Sequence, residues 1–219
     1  MSASLPEAYK AGTKNFYGRD FIVSRDVLIP RPETEIIIDE VLSLAGKPFL
    51  PGVIAPERKI PDRPRIIDVG TGSGCIAISL KKELSESKIY GLDISKSALS
   101  IARKNAEKMH AEVEFLESDL LNMYNDEEPD VVIANLPYVD PDWKWLDKKA
   151  LSFEPSIALF AEDSGLKLIK ILLDQIINRG WKPFVILEAD PCQHLEIIKY
   201  AQNSGFEHIK TNGFVLIFN

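Results

Sequence analysis

The residues that could do chemistry in this chain stand at the ends of short apolar runs: Gly70-Thr71-Gly72-Ser73-Gly74, Asp93, Asp119-Leu120 and Asn135-Leu136-Pro137-Tyr138. The last group follows DVVIA, a run that reads as a buried strand. An amide nitrogen is a poor nucleophile, because its lone pair is delocalised into the carbonyl. To attack an electrophile it must be held in line, with its two hydrogens engaged by acceptors. Asn135 offers a side-chain carbonyl oxygen, and the backbone carbonyl of Leu136, stiffened by Pro137, offers a second. Tyr138 supplies a flat face for a planar amide or base. No general base is needed, since a nitrogen that has gained a carbon substituent becomes a strong acid. Catalysis by positioning alone can supply roughly 7–11 kcal/mol at best. Taken by itself, the tetrapeptide is equally an ordinary proline turn after a strand.

The glycine run lies between an apolar strand and a helix, where missing Cβ atoms let a ligand approach the backbone. Asp93 closes the next strand about 20 residues later, where an acid accepts hydrogen bonds from two ribose hydroxyls. A dinucleotide loop spaces its third glycine three residues after the second, for a pyrophosphate on the helix N-terminus. GTGSG, preceded by Asp68, is tighter. It suits a cofactor without phosphates, S-adenosylmethionine, whose amino and carboxylate groups lie against the loop. Thr71 and Ser73 belong to that cradle. Asp119, with Leu120 beside it, is positioned to reach the adenine amino group, or else to cap the short helix after it. Cys75 reads as a small packing residue.

These positions require an alternating strand and helix pattern, and the sequence supplies it. Strands are predicted at 65–69, 88–92, 112–117, 130–134 and 183–188, with helices at 75–86, 96–109, 164–179 and 191–203. Such alternation implies a parallel sheet with right-handed crossovers. Runs at 206–210 and 213–218, around Thr211-Asn212, read as an antiparallel hairpin at the sheet edge. Upstream, 16–29 reads as two extended runs meeting near Ser24 to Asp26. Pro30 and Pro32 then open a helix over Thr34 to Ser43. The proline-rich stretch 45–64 reads as a linker. The expected division is 1–62, carrying hairpin, helix and linker, and 63–219, the cofactor domain.

Composition sets the remaining bounds. With 219 residues, 45% hydrophobic and 27% charged, the chain is of ordinary globular type. It has no apolar run long enough for a membrane helix. Two cysteines give no disulfide framework, and with no signal-peptide pattern the expected setting is the cytoplasm. A formal net charge of −7 argues against a nucleic-acid partner held by its phosphates. Lys144, Lys148 and Lys149 read as a solvated helix face. His110, His194 and His208 lack ligand spacing, so no metal is assigned.

Taken together, these motifs resemble the release factor glutamine N5-methyltransferases of the HemK/PrmC type. FYGRDFIVSRDVLIPRPETE at 16–35 is similar to that family's signature ahead of the cofactor domain, and DVGTGSGCIAISL at 68–80 to its cofactor loop. Asp93 and Asp119 match its ribose and adenine positions. EPSIALF at 154–160, Gly165-Leu166, and Glu188 five residues before Gln193 agree as well. The resemblance implies a Rossmann-like class I α/β fold, a seven-stranded, mostly parallel sheet in the order 3-2-1-4-5-7-6. It implies Gly70 to Gly74, Asp93, Asp119, Leu120 and Asn135 at the cofactor. It also implies Asn135 to Tyr138, with Arg31 and Glu33, at a substrate glutamine in the Gly-Gly-Gln loop of a peptide chain release factor. Two departures stand out. Leu136 replaces the first proline of the family's Asn-Pro-Pro-Tyr, approaching the tetrapeptide of ribosomal RNA adenine dimethyltransferases. Only some 15 residues precede the match, where bacterial members carry a helical domain, so a partner subunit is one expected substitute. The competing readings are a nucleic-acid adenine methyltransferase and a cofactor-binding subunit that needs a partner.

Overall fold

In a computed structural model of the protein, residues 4–47 and 59–219 are described. Most of the linker predicted at 45–64 lies outside them. The main sheet is built from β3 (Arg65–Val69), β4 (Lys88–Asp93), β5 (Glu114–Glu117), β6 (Val131–Ala134), β7 (Phe184–Glu188), β8 (His208–Asn212) and β9 (Val215–Phe218). Their order is β5-β4-β3-β6-β7-β9-β8. Counting from β3 as the first strand, this is the 3-2-1-4-5-7-6 order that the resemblance implies. The five strands from β3 to β7 run parallel, and β9 pairs antiparallel with both β7 and β8.

Central strands of such a sheet are buried on both faces, which is why RIIDV and VVIA read as nearly unbroken apolar runs. Successive side chains feed opposite cores. Ile66, Val131 and Ile133 join the cluster under α2 (Glu35–Leu44) and α3 (Cys75–Glu83), while Ile67, Val132 and Ala134 join the one under α6 (Lys167–Asn178) and α7 (His194–Asn203). Asp68 falls between apolar neighbours on the first face, 1% exposed. Helix α4 (Lys96–Met109) starts at Ser95, whose side chain accepts from the Ala98 N–H, and stops at His110 in a left-handed conformation.

The N-terminal segment departs from expectation in its turn. A helix not predicted from the sequence, α1 (Glu7–Ala11), precedes the hairpin of β1 (Thr13–Phe16) and β2 (Arg19–Ile22). The turn between them is Tyr17-Gly18, both at positive φ, and not Ser24 to Asp26. Positive φ at both central residues matches the twist of a two-residue hairpin. Ser24 to Asp26 form a separate local turn, closed by the Val27 N–H on Ser24 O at 3.1 Å. The C-terminal hairpin likewise turns at Gly213-Phe214 and not at Thr211-Asn212. Phe16 and Phe21 are fully buried and meet edge to face, in the same core as Ile37, Ile38 and Ile66.

Asn105 of α4, fully buried, welds these parts together. Its Oδ1 accepts from the Ile22 N–H at 2.7 Å. Its Nδ2 donates to Ile22 O at 3.0 Å and to Ser73 O at 2.9 Å. One side chain thereby satisfies the edge of β2 and fixes the glycine loop. Asn105→Ala leaves buried backbone groups unpaired and is expected to cost roughly 1–3 kcal/mol in urea unfolding. An unchanged midpoint would show that water replaces the side chain without loss.

Candidate active site

The carboxyl ends of β3, β4, β5 and β6 bring the glycine loop, Asp93, Ser118-Asp119 and Asn135 to one edge of the sheet, where ligands of open α/β sheets bind. They surround a cavity of about 330 Å³. Of the residues singled out in the sequence, Gly70, Thr71, Gly72, Ser73, Asp93, Asp119, Leu120, Asn135, Leu136, Pro137 and Arg31 line it. Asp26, Val27 and Thr34 from the N-terminal segment close it from above.

Each glycine of the loop does something different. All three have positive φ, and the N–H groups of Gly70 and Thr71 both donate to Leu92 O at 2.8 Å. A Cβ on Gly70 would stand 3.1 Å from the Leu136 side chain, so Gly70 lets the loop after β6 settle on the glycine turn. A Cβ on Gly72 would meet only the Gly70 carbonyl, at 3.9 Å, which leaves open space beside this residue. Gly74 faces away from the cavity. A Cβ there would stand 2.9 Å from Ile78 and 3.2 Å from Ala102, so this glycine serves the packing of α3 on α4.

The acids are held firmly. Asp93 accepts from the Gly72 N–H at 2.9 Å and the Ser95 N–H at 2.8 Å, and burial raises its pKa. Asp68 accepts from the Thr71 hydroxyl at 2.6 Å through Oδ2, while its buried Oδ1 has no partner among the described residues. Asp119 does not cap a helix, because residues 120–123 form only a turn. Ser118 makes the cap-like bond instead, accepting from the Met123 N–H at 3.1 Å and donating to Leu120 O at 2.7 Å. The Cys75 thiol is pushed up to about 12 by burial, which suits a packing role.

A second chamber of about 320 Å³ adjoins the first and shares Leu28, Arg31, Asn135, Leu136 and Ala158 with it. Glu33, Tyr138, Trp143 and Glu188 line only this second space. Asn135 therefore stands in the wall common to both. Its Nδ2 donates to the Thr34 hydroxyl at 3.2 Å. The Tyr138 hydroxyl donates to Glu188 Oε1 at 3.2 Å, and Glu188 is 1% exposed. Burial is the largest influence on Glu188 and, reinforced by Glu33, pushes its pKa up to about 7 against the opposing pull of the neighbouring polar groups of Thr34, Tyr138 and Asn135. Arg31 pairs with Glu154 at 2.6 Å, and Glu154 also accepts from the Ile29 N–H at 3.1 Å, pinning the N-terminal segment over the site.

The loop after Asn135 is held from behind. Gln193 Nε2 donates to Tyr138 O at 2.8 Å and to Ser164 O at 2.7 Å. Val139 N–H donates to Leu159 O at 3.0 Å, which ties EPSIALF alongside. In the sequence Glu154 and Gly165 stand out only as parts of the resemblance and Gln193 only by its spacing from Glu188, and nothing there pairs Thr34 with Asn135. Lys144, Lys148 and Lys149 are exposed, the latter two in the short α5 (Lys148–Leu151). Among the described residues no cluster of three His, Cys, Asp or Glu could hold a metal ion, and no helix is long and apolar enough to cross a membrane.

A family model described as a methyltransferase domain matches residues 61–205. The release factor glutamine methyltransferase of Koribacter versatilis is 42% identical over 185 residues, covering 80% of this chain and 60% of that protein. That of Neisseria gonorrhoeae is 34% identical over 211 residues, covering 94% of this chain and 71% of that protein. The chain thus spans about 60% of the length of relatives such as the first. Among solved structures, the T. thermophilus 16S rRNA N2 G1207 methyltransferase, in complex with AdoMet and guanosine, matches with a TM-score of 0.62 at 14% identity. That match covers 94% of this chain and 48% of the other, and it is a likeness of fold.

Two measurements probe this framework. A Cβ on Gly165 would fall 2.0 Å from Tyr138 O and 2.4 Å from Gln193 Nε2, so Gly165→Ala is expected to cost at least roughly 1–3 kcal/mol in chemical unfolding. Asp68 has its pKa raised from 3.8 to about 7, chiefly by burial. A carboxyl raised on folding contributes stability that is complete below its unfolded value and is lost as pH rises through its folded value. Asp68→Asn should therefore gain on the parent protein as pH climbs from about 4 to about 7, in unfolding curves taken at successive pH values. A stability difference independent of pH would show that Asp68 folds as a carboxylate.

Proposed function

The chain belongs to the release factor glutamine methyltransferase family, and from that premise we propose that it transfers a methyl group from S-adenosylmethionine to the side-chain amide nitrogen of a glutamine, in the Gly-Gly-Gln loop of a peptide chain release factor. The observation that carries the reading is Asn135 in the wall between two adjoining chambers, its Nδ2 engaged by Thr34. That leaves Oδ1 for the hydrogens of an acceptor amide. One chamber then takes the cofactor and the other the glutamine, and the methyl crosses where they meet. The setting in this reading is the cytoplasm, where translation terminates.

When bound, S-adenosylmethionine supplies an electrophilic methyl on a sulfonium. The residues present suit such a group. Gly72 leaves open space beside the loop, and Asp93 presents a fixed carboxylate to a ribose. Asp119 and Leu120 line the same cavity and in this reading would meet the adenine. Asn135 Oδ1 and the Leu136 carbonyl accept the two amide hydrogens and so aim the nitrogen lone pair. Tyr138 stacks on the amide plane, its ring held by Glu188 through the hydroxyl and its carbonyl by Gln193. The Leu136 side chain, 4% exposed, packs down over Gly70, so replacing the usual proline leaves the backbone acceptor in use.

The test offers the protein methyl-labelled S-adenosylmethionine with a release factor, the same factor with its Gly-Gly-Gln glutamine changed to alanine, and bulk RNA. Label in the intact factor only is the expected result. Label in RNA would replace this reading with the adenine one, and binding without transfer would point to a missing partner subunit. Asn135→Ala should keep cofactor affinity while kcat falls by roughly 100-fold or more, since one acceptor of the reacting amide is gone. Asp93→Ala should weaken cofactor binding by roughly 10- to 100-fold first. Equal loss of both properties in either variant would remove the assigned division of labour.

A further inference from the structure

Among the described charged residues lining the second chamber, Glu188 alone is buried. Its Oε1 takes the Tyr138 hydroxyl, and its Oε2 has no hydrogen-bond partner among the described residues. Thr34, 3% exposed, and Asn135 lie against the same carboxyl group. The Thr34 hydroxyl has one proton to give and lone pairs to offer. A carboxylate at Glu188 can only accept. Thr34 can then turn its proton toward Glu188, whose Oε2 is open to it, and its lone pairs to Asn135 Nδ2, matching the 3.2 Å contact. A carboxylic acid reverses the chain: its own O–H donates to Thr34, Thr34 donates to Asn135 Oδ1, and the amide turns over.

We propose that Glu188 is a positioning residue that acts through Thr34 to fix which end of the Asn135 amide faces the methyl acceptor, Oδ1 when Glu188 is a carboxylate and Nδ2 when it is an acid. With Nδ2 outward, two donors face each other and the acceptor nitrogen loses one of its guides. The inference rests on the reading of Asn135 as the residue that orients the acceptor. It gives the Thr34 of the Pro-Glu-Thr turn a chemical reason to lie against β6.

The orientation follows pH through the value near 7 at which Glu188 titrates. Its charged surroundings are Glu33 from the turn ahead of α2, Arg31 paired with Glu154 on the shared wall, Asp190 beyond β7 and Asp147 on the chamber rim. Asp68 acts with Glu188 on the Cys75 thiol from the α3 side and titrates in the same range, so Glu188 must be replaced by itself to separate the two.

The experiment follows the Asn135 side-chain amide by heteronuclear NMR, with S-adenosylmethionine bound, as pH is raised through about 7. The signal is assigned by its absence in Asn135→Ala. The wild-type resonances should move through one transition, lost in Glu188→Gln and Thr34→Val and kept, displaced, in Glu188→Asp. In parallel, wild-type kcat on a release factor should rise through the same transition. Glu188→Gln should give a kcat flat with pH and roughly ten-fold or more below the wild-type plateau, with cofactor affinity retained. No transition in the wild type, or the same one in Glu188→Gln, overturns the proposal. Should Glu188→Gln fail to fold, Thr34→Val carries the same two readouts, and a transition that persists in it overturns the proposal equally. An NMR transition without methylation of any release factor would leave the orientation standing and sink the functional reading instead.

Discussion

Everything at the site hangs on where Asn135 leaves the sheet. Strand β6 is buried at every position from Val131 to Ala134 and hydrogen-bonded on both sides, to β3 and to β7. A one-residue slip would exchange its two faces between two separate cores, so its register is not free. The residue after its last paired position is consequently delivered to a single point at the carboxyl edge. Gly70 leaves room for Leu136 to settle on the glycine turn, which lowers the Asn135 backbone onto the cavity floor. Precision of this kind comes from rigid elements and not from the loop itself.

The N-terminal segment is built into this arrangement instead of covering it loosely. Phe16 and Phe21 enter the core beneath α2 and α3, Asn105 grips Ile22 and Ser73 together, and Glu154 grips Arg31 and the Ile29 backbone. Each contact reaches a different part of the chain around the parallel sheet. Their joint effect is to set Thr34 against Asn135, a contact between residues 101 positions apart. Helix α2 then shares its buried face with the sheet, so hairpin and helix pack into the same core as the strands that carry the site.

Those distances explain what is legible in the sequence. The glycine turn, Asp93, Asp119 and Asn135 follow strands whose apolar runs are local signals, and the strand order comes with the resemblance. The Tyr17-Gly18 turn is hidden because tyrosine at positive φ carries no mark in its residue type, whereas Ser24 to Asp26 have the composition of a turn. The role of Gly74 is hidden for a related reason: a glycine that lets two helices approach looks the same in sequence as one that admits a ligand. The partnership of Thr34, Asn135, Tyr138 and Glu188 joins elements from both ends of the chain, and no local pattern announces it. Gln193 shows only as a spacing and Gly165 only through the resemblance, since their common partner, the Tyr138 carbonyl, is a backbone atom.

The electrostatics of the two chambers explain why one ligand chemistry suits the edge better than another. The first cavity is lined by Asp26, Asp93 and Asp119, and its one arginine, Arg31, is already neutralised by Glu154. Below the glycine turn lies Asp68, with Glu188 beside the second chamber, both raised to about 7 mainly by burial. A polyphosphate entering such a space would meet like charge on three sides without a free cation among the lining residues to offset it, at a cost that grows as water is excluded. A cation meets the opposite field, and its arrival would draw the carboxyl groups toward their ionised forms. Binding of a positively charged ligand in the first chamber would thereby favour the carboxylate of Glu188 in the second. Loading one chamber and preparing the other would then be two consequences of a single charge.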